Sequence, residues 1–288
     1  MIYNFSDLRI SSEYPPMPMY ADPTSYLEEY FFNYVNKNIN ILEGKPQYLP
    51  IYWTPIYVQN APIRVQSYLN VLDRTKEYFT IVQYDEGILN TLPFKTKVFA
   101  AASDRGHGTE KIPIPLITTP IPTEFINKYY SDCGTKYLCS FVGRDTHIMR
   151  KKVYEVLKHQ DNVYFPKMEN WEQTLPKEKL EEFIRVTKQS TFGLAIRGNA
   201  PASFRLYEIM QLGSIPVYVS DIHWLPFQDE INWKDFCVIV KPEEIKDLKY
   251  ILEEYNISDI CKMKEKGTEI YKNYFTLEKV CDNILKRV

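Results

Sequence analysis

Short apolar runs alternate along the chain with longer stretches in which apolar residues recur at helical spacing. In the first half, "YLPIYWTPIYVQ" (48–59), "YFTIVQYDEG" (78–87), "KVFAAASDRGHG" (97–108) and "KIPIPLITTPIP" (111–122) each read as an extended segment running into a loop. Helical patterns lie between them, in "PTSYLEEYFFNYVNKN" after Pro23 and around "VQSYLNVLDRTKE". The polar, Pro-bearing stretch 118–136 marks a boundary. A second series follows: strand "KYLCSFVGR", helix "HIMRKKVYEVLKHQ", strand "NVYFPK", helix "PKEKLEEFIRVTKQS", strand "TFGLAIRG", helix "PASFRLYEIMQLG", strand "SIPVYVS". After it come a strand running into a helix, "FCVIVKPEEIKDLKYILEEY", and amphipathic terminal helices. Strand alternating with helix predicts parallel sheets covered on both faces. The expectation is therefore an α/β protein of two Rossmann-like domains, 1–130 and 131–288, facing each other across a cleft. The terminal helices are candidates to cross back to the first domain.

Ligands of such sheets bind outside the carboxyl ends of the strands. That rule selects "QYDEG", "ASDRGHG", "FVGRDTHIMR", "AIRGNAPASFR" and "VSDIHWLPF", all of which follow expected strands. Around "AIRGNAPASFRLYEIMQLG", Arg197, Ser203, Arg205 and Glu208 crowd one loop and the helix it feeds. Pro201 and Ala202 suit a first helical turn, and Gly213 suits the left-handed position after the last. Open N–H groups near Ala202 and Ser203, with two guanidiniums beside them, are a binding site for an anion, first of all phosphate. Arg205 supplies a two-pronged clamp. Glu208, on the same helix face, suits either the hydroxyls of a ribose or an ion pair with Arg205, and both readings stay open. A second loop repeats the theme, with Gly143 and Arg144 ending a strand and Arg150 on the following helix.

Composition narrows the class. The 288-residue chain is 44% apolar and 25% charged with a formal net charge of −2, so no basic field points to nucleic acid or anionic membrane. The 23 tyrosines suit sugar-binding clefts, although most Tyr of any protein fills core and interface. Five dispersed cysteines fit free thiols in a reducing compartment better than disulfides or a zinc site. No apolar run is long enough for a membrane span and no signal peptide is recognised, which makes a cytoplasmic setting the expectation and the sequons at Asn4 and Asn256 chance matches. Neither a P-loop nor a G-x-G-x-x-G fingerprint occurs.

"FVGR…R", followed by "SFRLYEIMQLGSIPV" and "PFQDEINWKDF", resembles the C-terminal half of the exostosin family of glycosyltransferases, over roughly 136–240. "YWTPIY" and "DRTKEYFTIVQYDEG" resemble the family's N-terminal motifs more weakly, with Glu77, Tyr78 and Glu86 departing from them, which keeps open the alternative of a catalytically impaired family member that only binds nucleotide or glycan. The resemblance implies a GT-B fold and inverting transfer from a nucleoside diphosphate sugar without an essential metal or other cofactor. In it Arg144, Arg150, Ser203 and Arg205 would hold the diphosphate and Glu208 the ribose. The compact chain further resembles exostosin-domain proteins of large algal DNA viruses. That implies UDP-xylose as first donor, fucose on a capsid glycan as acceptor, and the host cytoplasm as location.

Inverting transfer needs a base, expected from the first domain. Asp85 at the end of "TIVQYDEG" is the first candidate, with Glu86 pointing the other way; Asp104 and His107 of "ASDRGHG" form the second. Trp53, Tyr57, His223, Trp224 and Phe227 suit ligand stacking or plain packing, the latter preferred.

Overall fold

The computed structural model describes residues 27–59, 62–108, 110–117, 120–128, 135–168 and 177–288. The expected boundary at 130/131, Cys133 and the Asn4 sequon lie outside the described residues.

The first lobe contains α1 (Leu27–Asn36), β1 (Gln47–Tyr48), α2 (Trp53–Val58), α3 (Pro62–Asn70), β2 (Tyr78–Val82), β3 (Thr96–Ala100) and β4 (Glu110–Pro113). Its four strands form a parallel sheet in the order β1-β2-β3-β4. Helix α4 (Thr123–Lys128) leads to the second lobe: β5 (Tyr137–Ser140), α5 (Ile148–Leu157), β6 (Val163–Tyr164), α6 (Lys177–Lys188), β7 (Ser190–Ile196), α7 (Phe204–Gln211), β8 (Ile215–Val219) and β9 (Val238–Val240). These five strands are also parallel, in the order β6-β5-β7-β8-β9. Helices α8 (Leu248–Glu253), α9 (Ile257–Tyr274) and α10 (Leu277–Arg287) close the chain. Every residue of β2, β7 and β8 is buried, as a sheet covered on both faces requires.

Two local expectations are corrected. The segment 48–59 is extended only at its start and turns into α2. Trp53, Ile56 and Tyr57 fit the i, i+3, i+4 spacing of a helix as well as they fit an apolar strand. Burial decides for the helix: the Trp53 indole donates to Thr80 Oγ1 at 2.8 Å, and Glu28 accepts from the Thr54 N–H and hydroxyl. These aromatics are core and do not form a sugar platform. Secondly, α7 starts at Phe204 with Ser203 as N-cap, so Pro201 and Ala202 precede the helix. Gly213 (φ 79°) does take the left-handed position after it.

The lobes form one packed body. A single cluster of buried residues runs from Phe31, Phe79 and Phe99 in the first lobe to Ile209, Phe275 and Ile284 in the second. A second cluster covers the opposite face of the second sheet, where Leu194 and Val217 meet Val153 and Leu252. Near the cleft the lobes are stitched by Ala202 N–H donating to Ala102 O (3.2 Å) and by the Trp224 indole donating to Ala100 O (3.3 Å). Helix α10 reaches the first lobe, where Tyr34 donates to Asp282 (2.6 Å), Lys45 to Leu285 O (2.6 Å) and Lys97 to Arg287 O (2.7 Å). Among the described residues Cys139, Cys237, Cys261 and Cys281 are free thiols.

One buried acid makes stability depend on pH. Glu28 is 1% exposed, and burial pushes its carboxyl up to about 7 although Gln83 and Thr54 donate to it. The folded state therefore binds this proton more tightly than the unfolded chain, whose Glu titrates near 4.5. The Glu28 contribution is favourable at low pH and declines as pH rises from the unfolded value to about 7, by on the order of 3 kcal/mol in total. Thermal melts of wild type and Glu28→Gln across pH 5 to 8 check this. The variant is expected to gain on the wild type as pH rises, with no further change above neutrality.

Candidate functional site

The loops after β2, β5 and β7 meet between the lobes around a cavity of about 240 Å³. The first lobe contributes Asp85 and Leu116 to its lining. The second contributes Gly143, Arg144 and Arg150 from one loop and helix, and Gly198, Asn199, Ser203 and Arg205 from the other. Five donor-side residues singled out in the sequence thus share one wall, while Arg197 and Glu208 stand behind it. A larger groove, about 1100 Å³, lies among α9, α10 and the 230–236 loop, away from these strand ends.

The arginines divide by what their N–H groups do. Arg150 is buried and donates to three carbonyls: Arg144 O (2.7 Å), Ile196 O (3.1 Å) and Arg197 O (3.1 Å). Burial first, and then the nearby Arg205 charge, lowers its pKa to about 10, so it stays cationic at neutral pH. Arg197, also buried, donates to Gly198 O (3.2 Å) and Asn199 O (3.0 Å) and forms an ion pair with Asp221. Both therefore fix the loop backbone and leave a positive charge behind it. Arg205 lies over the Phe183 ring at 3.8 Å, donates from Nε to Val142 O (3.1 Å) and pairs through Nη1 with Glu208. Of the two readings of Glu208, the ion pair is the one this arrangement displays. The Ser203 hydroxyl makes no capping bond to α7, and Ala202 N–H is already taken by Ala102 O.

Close packing shapes the wall. A Cβ on Gly143 would fall 2.5 Å from the Phe141 ring, so glycine there serves the aromatic beneath it as well as the cavity. A Cβ on Gly198 would lie 2.9 Å from Thr146 Oγ1 and 3.1 Å from Arg150 Nη2. Because Arg150 is anchored by three carbonyls, it has little freedom to yield. Gly198→Ala is expected to cost about 1–3 kcal/mol of stability by overpacking, and to weaken binding of an anion to this wall. Melting curves with and without UDP measure both effects.

Opposite stands Asp85. Burial raises its pKa; an Asn199 hydrogen bond opposes this, Glu86 adds to it, and Arg105 and Arg150 lower it. Glu86 turns to solvent and pairs with Arg105 at 2.9 Å. Asp104 is exposed on the next loop, where its carbonyl accepts from Lys111 (2.7 Å). His107 lines a separate cavity of about 310 Å³ with Arg74 and Phe94, and its N–H donates to Ile88 O (2.6 Å). The structure brings Asp85 to the arginine wall and does not bring Asp104 or His107 to it. Trp224 is buried between the lobes and Phe227 stacks on Phe275, so both pack.

Asn199, Gly198 and Leu116 belong to this site and were not singled out from sequence. The "RGNAP" run signals a loop, but nothing along the chain says that its Asn reaches the Asp85 carboxylate of the other lobe.

Two parallel α/β lobes with a cationic wall facing a carboxylate across the cleft make this a protein of GT-B architecture. The chain belongs to the Exostosin GT47 domain family, which matches residues 73–255. It is 26% identical over 106 residues to the Exostosin-1 homolog of Caenorhabditis elegans, covering 36% of this chain and 28% of that protein. To human Exostosin-2 it is 27% identical over 99 residues, 34% of this chain and 14% of that one. A probable glycosyltransferase of Arabidopsis thaliana is 37% identical over 71 residues, 25% of this chain and 15% of its own. The matched regions thus span between 14% and 28% of these curated relatives. Among solved structures, TarM is similar with a TM-score of 0.47 at 11% identity, covering 89% of this chain and 57% of that chain. Sucrose-phosphate synthase from Thermosynechococcus elongatus is similar with a TM-score of 0.45 at 10% identity, covering 91% and 78%. Among the described residues no helix is long and apolar enough to cross a membrane, and no group of three or more His, Cys, Asp or Glu is placed to hold a metal ion.

Proposed function

We propose that the protein is an inverting glycosyltransferase that moves a sugar from a nucleoside diphosphate donor, first of all UDP-xylose, to a hydroxyl of a glycan. The observation that carries this reading is one cavity with Arg144, Ser203 and Arg205 on the second lobe and Asp85 on the first. The acceptor hydroxyl attacks the anomeric carbon as Asp85 takes its proton. The bond from that carbon to the diphosphate oxygen breaks, and its electron pair leaves with the nucleotide. Arg144, Arg205 and Ser203 face the charge that develops there, while Arg150 and Arg197 hold the loops rigid. Glu208 fixes the orientation of Arg205 and turns to the ribose where the donor brings it within reach. The acceptor proposed is fucose on a glycoprotein glycan, and the setting proposed is the cytoplasm, that of the host if the chain is viral.

Two of the departures from the family's N-terminal motifs lie away from the cleft, whereas Glu86 stands beside Asp85 and raises its pKa. Glu77 is exposed beside Lys95 (3.9 Å), and Tyr78 is buried with its hydroxyl on Asp73 O (2.9 Å), at the end of β2 remote from Asp85. Thermal melts and slow donor hydrolysis across a panel of UDP- and GDP-sugars test the proposal. One UDP-sugar is expected to raise the melting temperature and to be hydrolysed. Stabilisation by no nucleotide overturns the donor assignment, and a screen of fucosylated oligosaccharides tests the acceptor.

A further inference from the structure

We infer that Glu28, buried under the first lobe and outside the cleft, is a positioning residue for the transfer reaction: its carboxylate fixes the end of β2 and so aims Asp85. The inference rests on the glycosyl-transfer reading above with Asp85 as base.

A carboxyl group that is 1% exposed is tolerated only where hydrogen bonds replace those it made to water. Glu28 accepts from the Thr54 N–H (3.1 Å) and hydroxyl (2.7 Å), and from the Gln83 N–H (2.8 Å). The two Thr54 bonds account for a cap on α2. They do not account for the third, which reaches another element. Gln83 is the first residue after β2, and only Tyr84 separates it from Asp85. The amide of Gln83 continues the network, accepting from Leu27 N–H (2.5 Å) and donating to Ile117 O (2.8 Å). Ile117 follows Leu116, the other cleft-lining residue of this lobe. Both first-lobe residues of the cavity thus hang from one buried cluster.

The far end of the same loop is held from the same side. Tyr57 on α2 accepts with its hydroxyl from Leu89 N–H (2.9 Å) and donates it to Asn90 Oδ1 (2.9 Å). Between these clamps the chain turns back on itself, with Gly87 N–H on Tyr84 O (2.9 Å). Asp85 is therefore carried on a short span anchored at both ends, and the Glu28 anchor is the nearer one. The donor wall belongs to the other lobe and shares none of these bonds. Loosening the anchor is expected to misplace the base without disturbing the nucleotide.

The test compares Glu28→Leu, Glu28→Asp and Glu28→Gln with the wild type at a temperature where circular dichroism shows each folded. The readouts are kcat and KM for donor turnover, and the melting shift produced by UDP. Glu28→Leu removes every acceptor, and misplacement of a base by about 1 Å is expected to lower kcat about 10- to 100-fold with KM for the donor and the UDP shift unchanged. Glu28→Asp, one methylene shorter, is expected to show the same split and serves where the Leu variant does not fold. Glu28→Gln keeps a carbonyl oxygen for the Gln83 N–H and is expected to restore most of kcat. If the Leu and Asp variants are merely less stable, with kcat per folded molecule unchanged, Glu28 is structural and the inference is overturned. If the wild type itself turns over no nucleotide sugar, the glycosyl-transfer reading fails and takes this assignment with it.

Discussion

Asp85→Asn is expected to lower kcat for transfer by about 100- to 10,000-fold while leaving the melting shift produced by the donor intact. The side chain keeps its shape and can still meet Asn199 across the cleft, so the loop stays in place. What disappears is the lone pair that accepts the acceptor's proton. Donor binding survives because Arg144, Ser203 and Arg205 belong to the other lobe and touch the opposite wall. The wild-type pH profile carries a second signature. Burial raises the Asp85 pKa above the ordinary aspartate value and outweighs the Asn199 hydrogen bond that lowers it. Activity should therefore fall, as pH drops, at a higher pH than an exposed Asp would give, since the protonated carboxyl has no capacity left as base. Steady-state kinetics with the best donor and acceptor measure both features. Loss of transfer on replacing Asp104 or His107, with Asp85→Asn still active, would place the base elsewhere.

The donor wall was far more legible in the sequence than the acceptor side, for a physical reason. Ser203, Arg205 and Glu208 sit within one helical turn and the loop before it, so spacing alone brings them together. Gly143, Arg144 and Arg150 likewise follow one strand into one helix. The parallel sheets were legible because β2, β7 and β8 are apolar on both faces. Contacts between distant elements left no comparable trace. Asn199 reaches Asp85 from the other lobe, and Glu28 takes the Gln83 N–H from a helix 55 residues earlier in the chain; both look like ordinary loop or helix polar residues in one dimension. Local periodicity also misled at 48–59, where an apolar stretch fits a strand and a helix equally and the buried Trp53–Thr80 bond decides. The same limit applies to the arginines: residue type announced a cationic wall, yet only geometry shows that Arg150 is tied to three carbonyls and Arg197 to two carbonyls and Asp221, whereas Arg205 pairs with Glu208 beside the cavity.

Arg205→Ala is expected to abolish the melting shift produced by UDP, but the single substitution confounds binding with folding. Its guanidinium covers the Phe183 ring and neutralises Glu208, whose side chain is only 9% exposed. Removing the cation alone strands a nearly buried carboxylate, which costs several kcal/mol in comparable pairs. Pairing Arg205→Ala with Glu208→Gln removes that penalty, because the amide carries no charge to be left unmatched. The double variant should therefore melt closer to the wild type than Arg205→Ala does. Its affinity for UDP should remain reduced, by about 2–3 kcal/mol or some 30- to 150-fold, the range for charge-assisted hydrogen bonds to an ionised group. Isothermal titration of UDP into wild type, single and double variants separates the two effects. Recovery of stability without recovery of binding places Arg205 on the diphosphate. Recovery of both would mean that the Arg205–Glu208 pair only braces α7 and that Arg144 carries the anion, whereas tight binding in the single variant would remove Arg205 from the donor site altogether.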